Sequence, residues 1–223
     1  MILDKKISLV MPCYNEENGL RLIFNNDLSW LDEIIVVDNN STDKTTNVAR
    51  EFNCSVIEEK QPGYGIAYQT GFKEATGDII LAMDGDGTYP LAVAYKFINK
   101  IIQQDIDFIS GNRLSHGKPQ SMPYLNYFGN IFFTFIVRLF FIKNCQDSQS
   151  GMWVFKRAIL NKIHLTSAGM AFSQEIKIEV AANKFRFVEL PIEYNKRSGQ
   201  VKLRCFQDGF KNLVFLLKRK CFT

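Results

Sequence analysis

Short apolar runs alternate with helix-like stretches through the first half of the chain, and this alternation constrains the fold more than any other sequence feature. The runs predict buried strands at Ile7–Met11, Ile34–Val37, Ser55–Ile57, Ile79–Met83 and Phe108–Ser110. The intervening stretches predict helices, with Gly77 as a C-cap after the third, at Gly19–Asn26, Asp43–Phe52, Ile66–Ala75 and Leu91–Gln104. Because strands that alternate with helices form βαβ units, we expect a mainly parallel sheet flanked by helices.

The second half of the chain has a less regular pattern. A very apolar stretch, Tyr124–Ile142, is followed by the polar segment Asn144–Ser150. Further elements are expected as strands at Met152–Phe155 and Phe185–Leu190, and as helices near Ser173–Asn183 and from about Phe206. No repeat and no linker rich in Pro, Gly or Ser divides the 223 residues, so we expect a single domain.

Two acids separated by one residue follow the apolar run Ile79–Met83. They are Asp84 and Asp86, with Gly85 between them and Gly87 behind. In open α/β sheets ligands bind at the carboxyl ends of the strands, and glycines permit a kink that turns both acids toward one hard cation. The pattern therefore predicts a divalent metal site, with Thr88 as a further oxygen ligand. An ordinary Asp-Gly turn is the alternative for this motif taken alone.

Polar residues also follow the first two predicted strands. The first strand leads into Pro12-Cys13-Tyr14-Asn15-Glu16-Glu17, and the second into Asp38-Asn39-Asn40-Ser41-Thr42-Asp43. Because parallel strands end at one edge of a sheet, these segments and the acid pair predict a common site. Taken singly, Glu16 and Glu17 also suit the first turn of a helix, and Ser41 or Thr42 an N-cap.

These motifs resemble the family 2 glycosyltransferases with the GT-A fold. The resemblance extends from about Ile7 to Leu217 and includes Gly63-Tyr64-Gly65, Ser110-Gly111-Asn112-Arg113, Asp147–Gly151 and Arg197-Ser198-Gly199-Gln200-Val201-Lys202. The last three segments are similar to the dolichyl- or polyprenyl-phosphate sugar synthases, particularly the dolichyl-phosphate-glucose-synthase-like branch. Trp153 and Val201 depart from that pattern, which often has Arg and Ser at these places.

The resemblance implies a Rossmann-like GT-A domain that binds a nucleotide-sugar, either a UDP- or a GDP-sugar, with Mg²⁺ or Mn²⁺. Residues 1–115 would form the nucleotide-sugar half, and residues 116–223 an acceptor and membrane-interface half. The residues implied to bind the donor are Pro12, Tyr14, Glu16, Asp38, Gly63, Gly65, Asp84 and Gly85. Gly63 and Gly65 are expected in a flexible loop beside the donor. A dinucleotide-binding G-x-G-x-x-G motif is excluded here, because position 68 is Tyr.

A lipid phosphate acceptor suits a chain that has only His116 and His164. A phosphate monoester has a second pKa of about 6, so it is already a nucleophile at neutral pH and needs no general base. The reaction instead requires that the negative charges of the acceptor phosphate and the nucleotide diphosphate be neutralised. Arg113, Arg197 and Lys202 are the candidate cations that bind the phosphate oxygens. Beside them, Asp86 would hold the metal ion that neutralises charge on the leaving diphosphate.

Asp147 and Glu175 match acidic positions near the acceptor side of the family, which implies that they orient the basic residues or the donor sugar. Asp147 as a turn residue and Glu175 as a first-turn helix acid remain alternatives.

The stretch Tyr124–Ile142 is long and apolar enough to span a bilayer, with six Phe and the single charge Arg138. One span would place Ser110–Arg113 and Asp147–Gly151 on opposite sides of the membrane, although both belong to the same predicted site. We therefore expect an amphipathic helix that lies in the membrane interface and packs partly on the domain. A buried core helix is the alternative.

Charge and cysteine content indicate where such a protein acts. The segment from Lys196 to Lys220 has about eight cations against one acid, which suits an anionic ligand, an anionic membrane surface or a solvated helix face. Five scattered cysteines without a C-x-x-C pair favour a reducing compartment. We expect a cytoplasmic protein, peripheral at the cytosolic face of a membrane, with a hydrophobic partner subunit as an option.

Two other functions compete with transfer to a polyprenyl phosphate. A family 2 enzyme with a saccharide hydroxyl acceptor would need a general base, and Asp147 or Glu175 would have to serve. A non-catalytic protein that binds anions or nucleic acid through the basic C-terminal segment leaves the strand-end acids unexplained. No nucleic-acid partner is expected, because no recognised nucleic-acid-binding motif occurs.

Overall fold

The computed structural model describes residues 4–202 and 204–221. In this part of the chain the strands are β1 (Ile7–Cys13), β2 (Glu33–Asp38), β3 (Ser55–Glu58), β4 (Ile79–Ala82), β5 (Phe108–Asn112), β6 (Trp153–Lys156) and β7 (Phe187–Pro191). The helices are α1 (Glu17–Phe24), α2 (Thr45–Glu51), α3 (Tyr64–Glu74), α4 (Leu91–Gln104), α5 (Tyr124–Phe140), α6 (Phe172–Ala182) and α7 (Cys205–Cys221), with a 3₁₀ turn at Arg157–Asn161.

The strands form one sheet in the order β3-β2-β1-β4-β6-β5-β7. Strand β6 runs antiparallel to β4 and β5, and the other neighbouring pairs are parallel. In this register Cys13 at the end of β1 lies beside Asp38 at the end of β2. The predicted mainly parallel sheet is therefore confirmed, and its strand ends meet at one edge as expected.

Apolar layers cover both faces of the sheet, because successive side chains of a strand point to opposite faces. In β1, Leu9 and Met11 pack into a cluster with side chains of α1 and α4, whereas Val10 packs into a second cluster with α3 and α6. The two layers fix the strands between them, and thereby the positions of the residues that follow each strand.

Gly77 does not cap α3, so the predicted C-cap is wrong. The helix ends at Glu74, and Ala75 follows in an extended conformation while its N–H bonds to Gly71 O at 3.1 Å. Gly77 lies against β1 instead, where an added Cβ would be 2.7 Å from the backbone nitrogen of Ser8. Close backbone approach, and not helix termination, requires glycine there.

Gly63 and Gly65 do not form a flexible loop, so that prediction is also wrong. Gly63 is the N-cap of α3 and Gly65 lies in its first turn. A Cβ at these positions would collide with the carbonyl oxygens of Ala168 and Ser167, respectively. The N–H of Gly65 also donates to Ala168 O at 2.9 Å, so the glycines dock a second backbone segment onto the start of the helix.

Helices α5 and α7 pack against each other and expose much of their apolar surface. Only three residues of α5 are buried, Asn130, Thr134 and Val137. Its exposed large apolar side chains are Tyr124, Leu125, Phe128, Ile131, Phe132, Phe135, Leu139 and Phe140. The buried core helix is therefore excluded, and packing of this helix on one side only agrees with the expected amphipathic element. Among residues 4–202 and 204–221, no helix is both long and apolar enough to cross a membrane.

Candidate active site

Asp84 and Asp86 lie just beyond the end of β4 and are each fixed by hydroxyl groups. Asp84 Oδ1 accepts hydrogen bonds from the Tyr64 hydroxyl at 2.9 Å and the Tyr68 hydroxyl at 3.2 Å. Asp86 Oδ1 accepts them from the Thr88 backbone N–H at 2.9 Å and hydroxyl at 2.6 Å. Thr88 thus orients the Asp86 carboxylate, and its role as a metal ligand stays a prediction.

Both glycines of the motif are needed for its conformation. A Cβ at Gly85 would lie 2.5 Å from Cys13 Sγ at the end of β1, and Gly87 has a φ of 78°. Only glycine adopts such a φ without strain and fits such a close approach. The kink expected after β4 is therefore present.

Two cavities meet at the acid pair. The first, here called the strand-end cavity, has a volume of about 460 Å³ and is lined by Pro12, Cys13, Tyr14, Glu16, Asn39, Asn40, Pro62, Gly63, Tyr64, Ala67, Asp84, Gly85, Asp86, Met170, Arg197, Lys202 and Asp208. The second, here called the helix cavity, has a volume of about 320 Å³ and extends between α5 and α7. A molecule in either cavity reaches the same carboxylates, because both cavities are lined by Tyr64, Asp84, Asp86, Met170, Arg197 and Asp208.

Most of the predicted donor-binding residues line the strand-end cavity, with two exceptions. Gly65 packs against Ser167 O and Phe172 instead. Asp38 does not line the cavity, and its Oδ2 accepts a hydrogen bond from Ser41 N at 3.3 Å. Its Oδ1 is buried and has no hydrogen-bond partner in the described part of the chain. A buried carboxylate oxygen without a donor carries a desolvation cost that a ligand N–H or O–H would offset.

Two cations from the segment between β7 and α7 cover the strand-end acids. Arg197 Nη1 lies 2.5 Å from Asp86 Oδ2, and its Nη2 pairs with Glu16. Lys202 Nζ lies 2.5 Å from Glu16 Oε1 and donates to the carbonyl oxygen of Asn15 at 2.8 Å. Burial raises the pKa of Glu16 above its ordinary value, although Lys202 and Arg197 oppose the shift. These basic residues, which the sequence placed far from the acids, are brought into one cluster.

Arg113 and Asp147 form a buried bidentate pair beside the helix cavity. Arg113 follows β5, and its Nε and Nη2 each lie 2.8 Å from an oxygen of Asp147. Burial acts to raise the pKa of Asp147, but the charge and hydrogen bonds of Arg113 together with the charge of Lys177 outweigh it, so the pKa lies below its ordinary value. Arg113 lines the helix cavity and also lies over the ring of Tyr194, 5.3 Å from its centroid. Asp147 therefore acts as the counter-ion that orients Arg113.

Glu175 is not brought into the site. It lies on α6, where its Oε1 accepts hydrogen bonds from the backbone N–H and hydroxyl of Thr166 at 2.9 and 2.7 Å. Its Oε2 accepts one from Ser167 N at 2.8 Å. Glu175 thus fixes the segment that packs on Gly63 and Gly65, and its expected role beside the acceptor is not supported by this placement.

Several tyrosines of the site were not assigned a function from the sequence. Tyr64 and Tyr68 bond to Asp84, Tyr89 accepts a hydrogen bond from Gly151 N at 2.7 Å, and Tyr194 lies against Arg113. Tyr64 is part of a motif noted in the sequence and Tyr89 directly follows Thr88, whereas Tyr68 was used only to exclude a dinucleotide-binding loop. Their contacts depend on the packing of α3 and the 151 region against β4, which has no local sequence signal.

Residues 8–164 match the sequence profile of the family described as glycosyl transferase family 2. Among curated proteins, the chain is 35% identical over 220 residues to a low-salt glycan biosynthesis hexosyltransferase of Haloferax volcanii, covering 95% of this chain and 53% of that protein. It is 31% identical over 206 residues to a dolichyl-phosphate hexose transferase of the same organism, covering 91% of this chain and 89% of that protein. The chain thus spans about half the length of the first of these relatives.

A dolichol-phosphate mannosyltransferase of Pyrococcus furiosus is 30% identical over 212 residues, covering 89% of this chain and 59% of that protein. Among solved structures, glucosyl-3-phosphoglycerate synthase from Mycobacterium tuberculosis superimposes with a TM-score of 0.79 at 17% identity, covering 98% of this chain and 81% of that chain. This likeness confirms the GT-A fold. The sequence comparisons go further, and they show that the chain belongs to glycosyl transferase family 2.

Proposed function

We propose that the protein transfers a sugar from a nucleotide-sugar to a dolichyl or polyprenyl phosphate, with inversion at the anomeric carbon. The observation that carries this proposal is the meeting of two cavities at Asp84 and Asp86, one beneath the strand ends and one between exposed apolar helices. Relatives named as a dolichyl-phosphate hexose transferase and a dolichol-phosphate mannosyltransferase support the same acceptor class.

The donor is assigned to the strand-end cavity because polar groups from three strand ends converge there. The buried, unpartnered Oδ1 of Asp38 suits an N–H or O–H of the nucleoside. The nucleotide diphosphate is placed toward Asp84 and Asp86, which also face the second cavity. The sugar then lies at the junction, where its anomeric carbon is accessible from the side of the helix cavity.

A divalent cation fits the acid pair only if the substrate completes its coordination. Within residues 4–202 and 204–221, no cluster of three or more His, Cys, Asp and Glu is placed to hold a metal. Mg²⁺ commonly uses one or two carboxylates and takes its remaining ligands from phosphates and water. Asp84 and Asp86 would hold such an ion, which when bound neutralises charge on the leaving diphosphate. Relatives of the same fold have been crystallised with Mn²⁺ or Mg²⁺ and UDP.

The acceptor phosphate is assigned to the helix cavity, where it meets cations, and neither acid that was considered as a general base, Asp147 or Glu175, is free to act. Arg113 and Arg197 line this cavity and would attract the phosphate oxygens, Arg113 from its pair with Asp147 and Arg197 from its pairs with Asp86 and Glu16. Asp147 is buried in its pair with Arg113, and both oxygens of Glu175 are engaged by Thr166 and Ser167. An ionised phosphate needs no proton removed, whereas a saccharide hydroxyl does, so the geometry favours the phosphate.

The walls of the helix cavity suit an isoprenoid chain. They include Leu125 and Phe133 of α5 and Phe206 of α7, and the groove between these helices opens where their outer faces are apolar. A lipid chain lying there keeps its phosphate at the Arg113 end and its hydrocarbon toward the exposed helix faces. Attack by a phosphate oxygen on the anomeric carbon, opposite the leaving diphosphate, inverts its configuration.

The exposed faces of α5 and α7 support association with an anionic membrane. Phe128, Phe135, Phe206 and Phe210 are each at least 60% exposed. Lys218 and Lys220 lie in the last turn of α7, and such cations are attracted to anionic headgroups, whereas Arg219 beside them pairs with Glu179. We place the protein peripherally at the cytosolic face, a reducing compartment that suits its five free cysteines. The same exposed surface also suits a hydrophobic partner subunit.

The proposal is tested by supplying purified protein with a panel of UDP- and GDP-sugars, Mn²⁺ or Mg²⁺, and a polyprenyl phosphate in detergent. We expect a glycolipid product and matching nucleotide diphosphate release, which chromatography and mass spectrometry would detect. Parallel reactions contain free saccharides as acceptors. Transfer to saccharides with none to the lipid phosphate would contradict the proposal and favour the hydroxyl-acceptor enzyme.

A further inference from the structure

Residues 146–151 connect the cation of the helix cavity to the acid pair. At one end Asp147 holds Arg113 in two hydrogen bonds of 2.8 Å. At the other end Gly151 is packed so tightly that an added Cβ would lie 2.5 Å from the Tyr64 hydroxyl and 3.3 Å from the Asp84 carboxylate oxygens. Any shift of this segment therefore moves Arg113 relative to Asp84.

Two charged side chains of opposite sign, one fully buried and the other half-buried, hold the backbone of this segment. Lys177 of α6 is fully buried and donates to the carbonyl oxygens of Asp147 at 2.6 Å and Ser150 at 3.2 Å. Glu189 of β7 accepts hydrogen bonds from the N–H groups of Gln146 at 2.5 Å and Asp147 at 3.0 Å. The ammonium fixes carbonyl groups and the carboxylate fixes N–H groups, so the segment is held on both sides.

The burial of an ammonium group at this position needs an explanation. Taking a charge out of water costs several kcal/mol, and apolar residues of similar volume often replace buried ion pairs without loss of stability. Burial lowers the pKa of Lys177, and the nearby Asp147 opposes that shift. Lys177 lines neither the strand-end cavity nor the helix cavity, so it has no direct contact with either substrate space. Its contacts lead instead through Asp147 to Arg113.

We propose that Lys177 is a positioning residue. By fixing the backbone of residues 147–150, it holds Arg113 in place relative to the acid pair. The inference rests on the proposed function, because Arg113 is there assigned to the acceptor phosphate. It assigns no chemistry to Lys177 itself. The residue acts by keeping the guanidinium of Arg113 where the acceptor phosphate must lie.

The test compares Lys177→Met with Lys156→Met as a matched control. Lys156 also donates two short hydrogen bonds, to Asp105 and Asp107 at 2.6 and 2.9 Å, but at the opposite edge of the sheet. For Lys177→Met we expect kcat/KM for polyprenyl phosphate to fall at least about tenfold, the range of supporting residues around functional sites. Donor-nucleotide affinity should change less than about twofold, and the control should keep both values. If Lys177→Met does not fold, Lys177→Gln, which can still donate to one carbonyl, replaces it.

A double-mutant cycle with Arg113→Ala separates positioning from general damage. If Lys177 acts through Arg113, its substitution should cost little further activity once Arg113 is absent. Independent, multiplicative losses would overturn the inference, as would a Lys177→Met enzyme with normal kcat/KM. A wild-type protein that uses no lipid phosphate would overturn the proposed function, and this inference with it, so the two failures are distinguishable.

Discussion

Asp84 and Asp86 have different electrostatic surroundings although one residue separates them. Asp86 pairs with Arg197, whereas Asp84 accepts hydrogen bonds from two tyrosines. Burial, together with the charge of Asp86, raises the pKa of Asp84 from 3.8 to about 7. Two carboxylates held close together without enough compensating charge are costly in the absence of a ligand, and this cost is what a bound cation would relieve.

Substitution of Asp86 should abolish most of the turnover. We expect Asp86→Asn to lower kcat at least about 100-fold at saturating Mg²⁺, because the change removes a charge that faces the leaving diphosphate. Asp78→Asn serves as a control, since Asp78 lies at the opposite edge of the sheet and accepts a hydrogen bond from Lys6 N. Steady-state rates of nucleotide release measure the effect. A near-normal rate for Asp86→Asn would show that the metal assignment is wrong.

Substitution of Asp84 should stabilise the protein when no ligand is bound. Its folded pKa of about 7 exceeds the unfolded value of 3.8, so the folded state binds the proton more tightly. Stability contributed by that proton is present at low pH and is lost as pH rises through about 7. Asp84→Asn removes the titration, so we expect its Tm at pH 8 to exceed that of the wild type by a few degrees, at about 2–4 °C per kcal/mol.

The same comparison at pH 4 provides the control, because the two proteins should then melt at similar temperatures. Addition of Mn²⁺ and nucleotide should favour the wild type, since a ligand that binds only the folded state raises its stability. An Asp84→Asn variant that melts below the wild type at pH 8 without metal would contradict our inference that the ionised Asp84 carboxylate destabilises the unliganded protein.

The site residues that could be predicted from the sequence are those that directly follow a strand. Asp84, Asp86 and Glu16 follow predicted strands directly, and the structure places all three around one cavity. The pairing of Arg113 with Asp147 was not predictable in detail, because 34 residues separate them in sequence. Lys177 gave no signal at all, since a lysine on a helix is usually solvated and its burial depends on the whole fold.

At the scale of the elements, hydrophobic pattern located the strands and helices well. The predicted ends differ from the observed ones by at most two residues, because apolar runs and turn residues mark where each element enters and leaves the core. Gly65 and Gly77 were misassigned for a shared reason. Each glycine is needed where a distant backbone segment approaches, and the sequence around a glycine does not show which segment that is.

The spacing between α5 and α7 should determine acceptor length selectivity. Gly129 and Gly209 line the helix cavity, and a Cβ at Gly209 would approach only Phe133, at 3.9 Å. Gly209→Leu places a larger side chain in the groove, so we expect KM for long polyprenyl phosphates to rise at least about tenfold, with donor affinity unchanged. Gly209→Ala is the control, because alanine fits and is the better helix former. An unchanged KM for Gly209→Leu would place the lipid chain elsewhere.

For the molecule as a whole, charge and apolar surface are segregated in a way that suits an interface. The strand-end acids are covered by Arg197 and Lys202, whereas the aromatic residues of α5 and α7 face outward. A soluble protein ordinarily buries such a surface, and a large exposed apolar patch marks an interaction site. Because the helix cavity opens between the same two helices, binding of this surface to a bilayer would bring the cavity to a lipid substrate.

Membrane association should therefore depend on the aromatic face of α5. Phe128, Phe132 and Phe135 are 63%, 51% and 60% exposed, so their joint replacement by Ser removes little core packing. In flotation with anionic vesicles at low salt, we expect the wild type to float and the triple variant to stay in the soluble fraction. Higher salt should release part of the wild type, because screening weakens the attraction of cations to headgroups.

Tyr95→Ser provides the matched control for flotation, since Tyr95 is 45% exposed on α4 and should not affect it. Activity with a short acceptor in detergent should survive in the triple variant, because none of its three positions lines the helix cavity. If the triple variant no longer transfers sugar to an acceptor embedded in vesicles but remains active in detergent, its defect lies in access to the membrane and not in catalysis. A wild-type protein that remains entirely in the soluble fraction at low salt would contradict membrane association through this face.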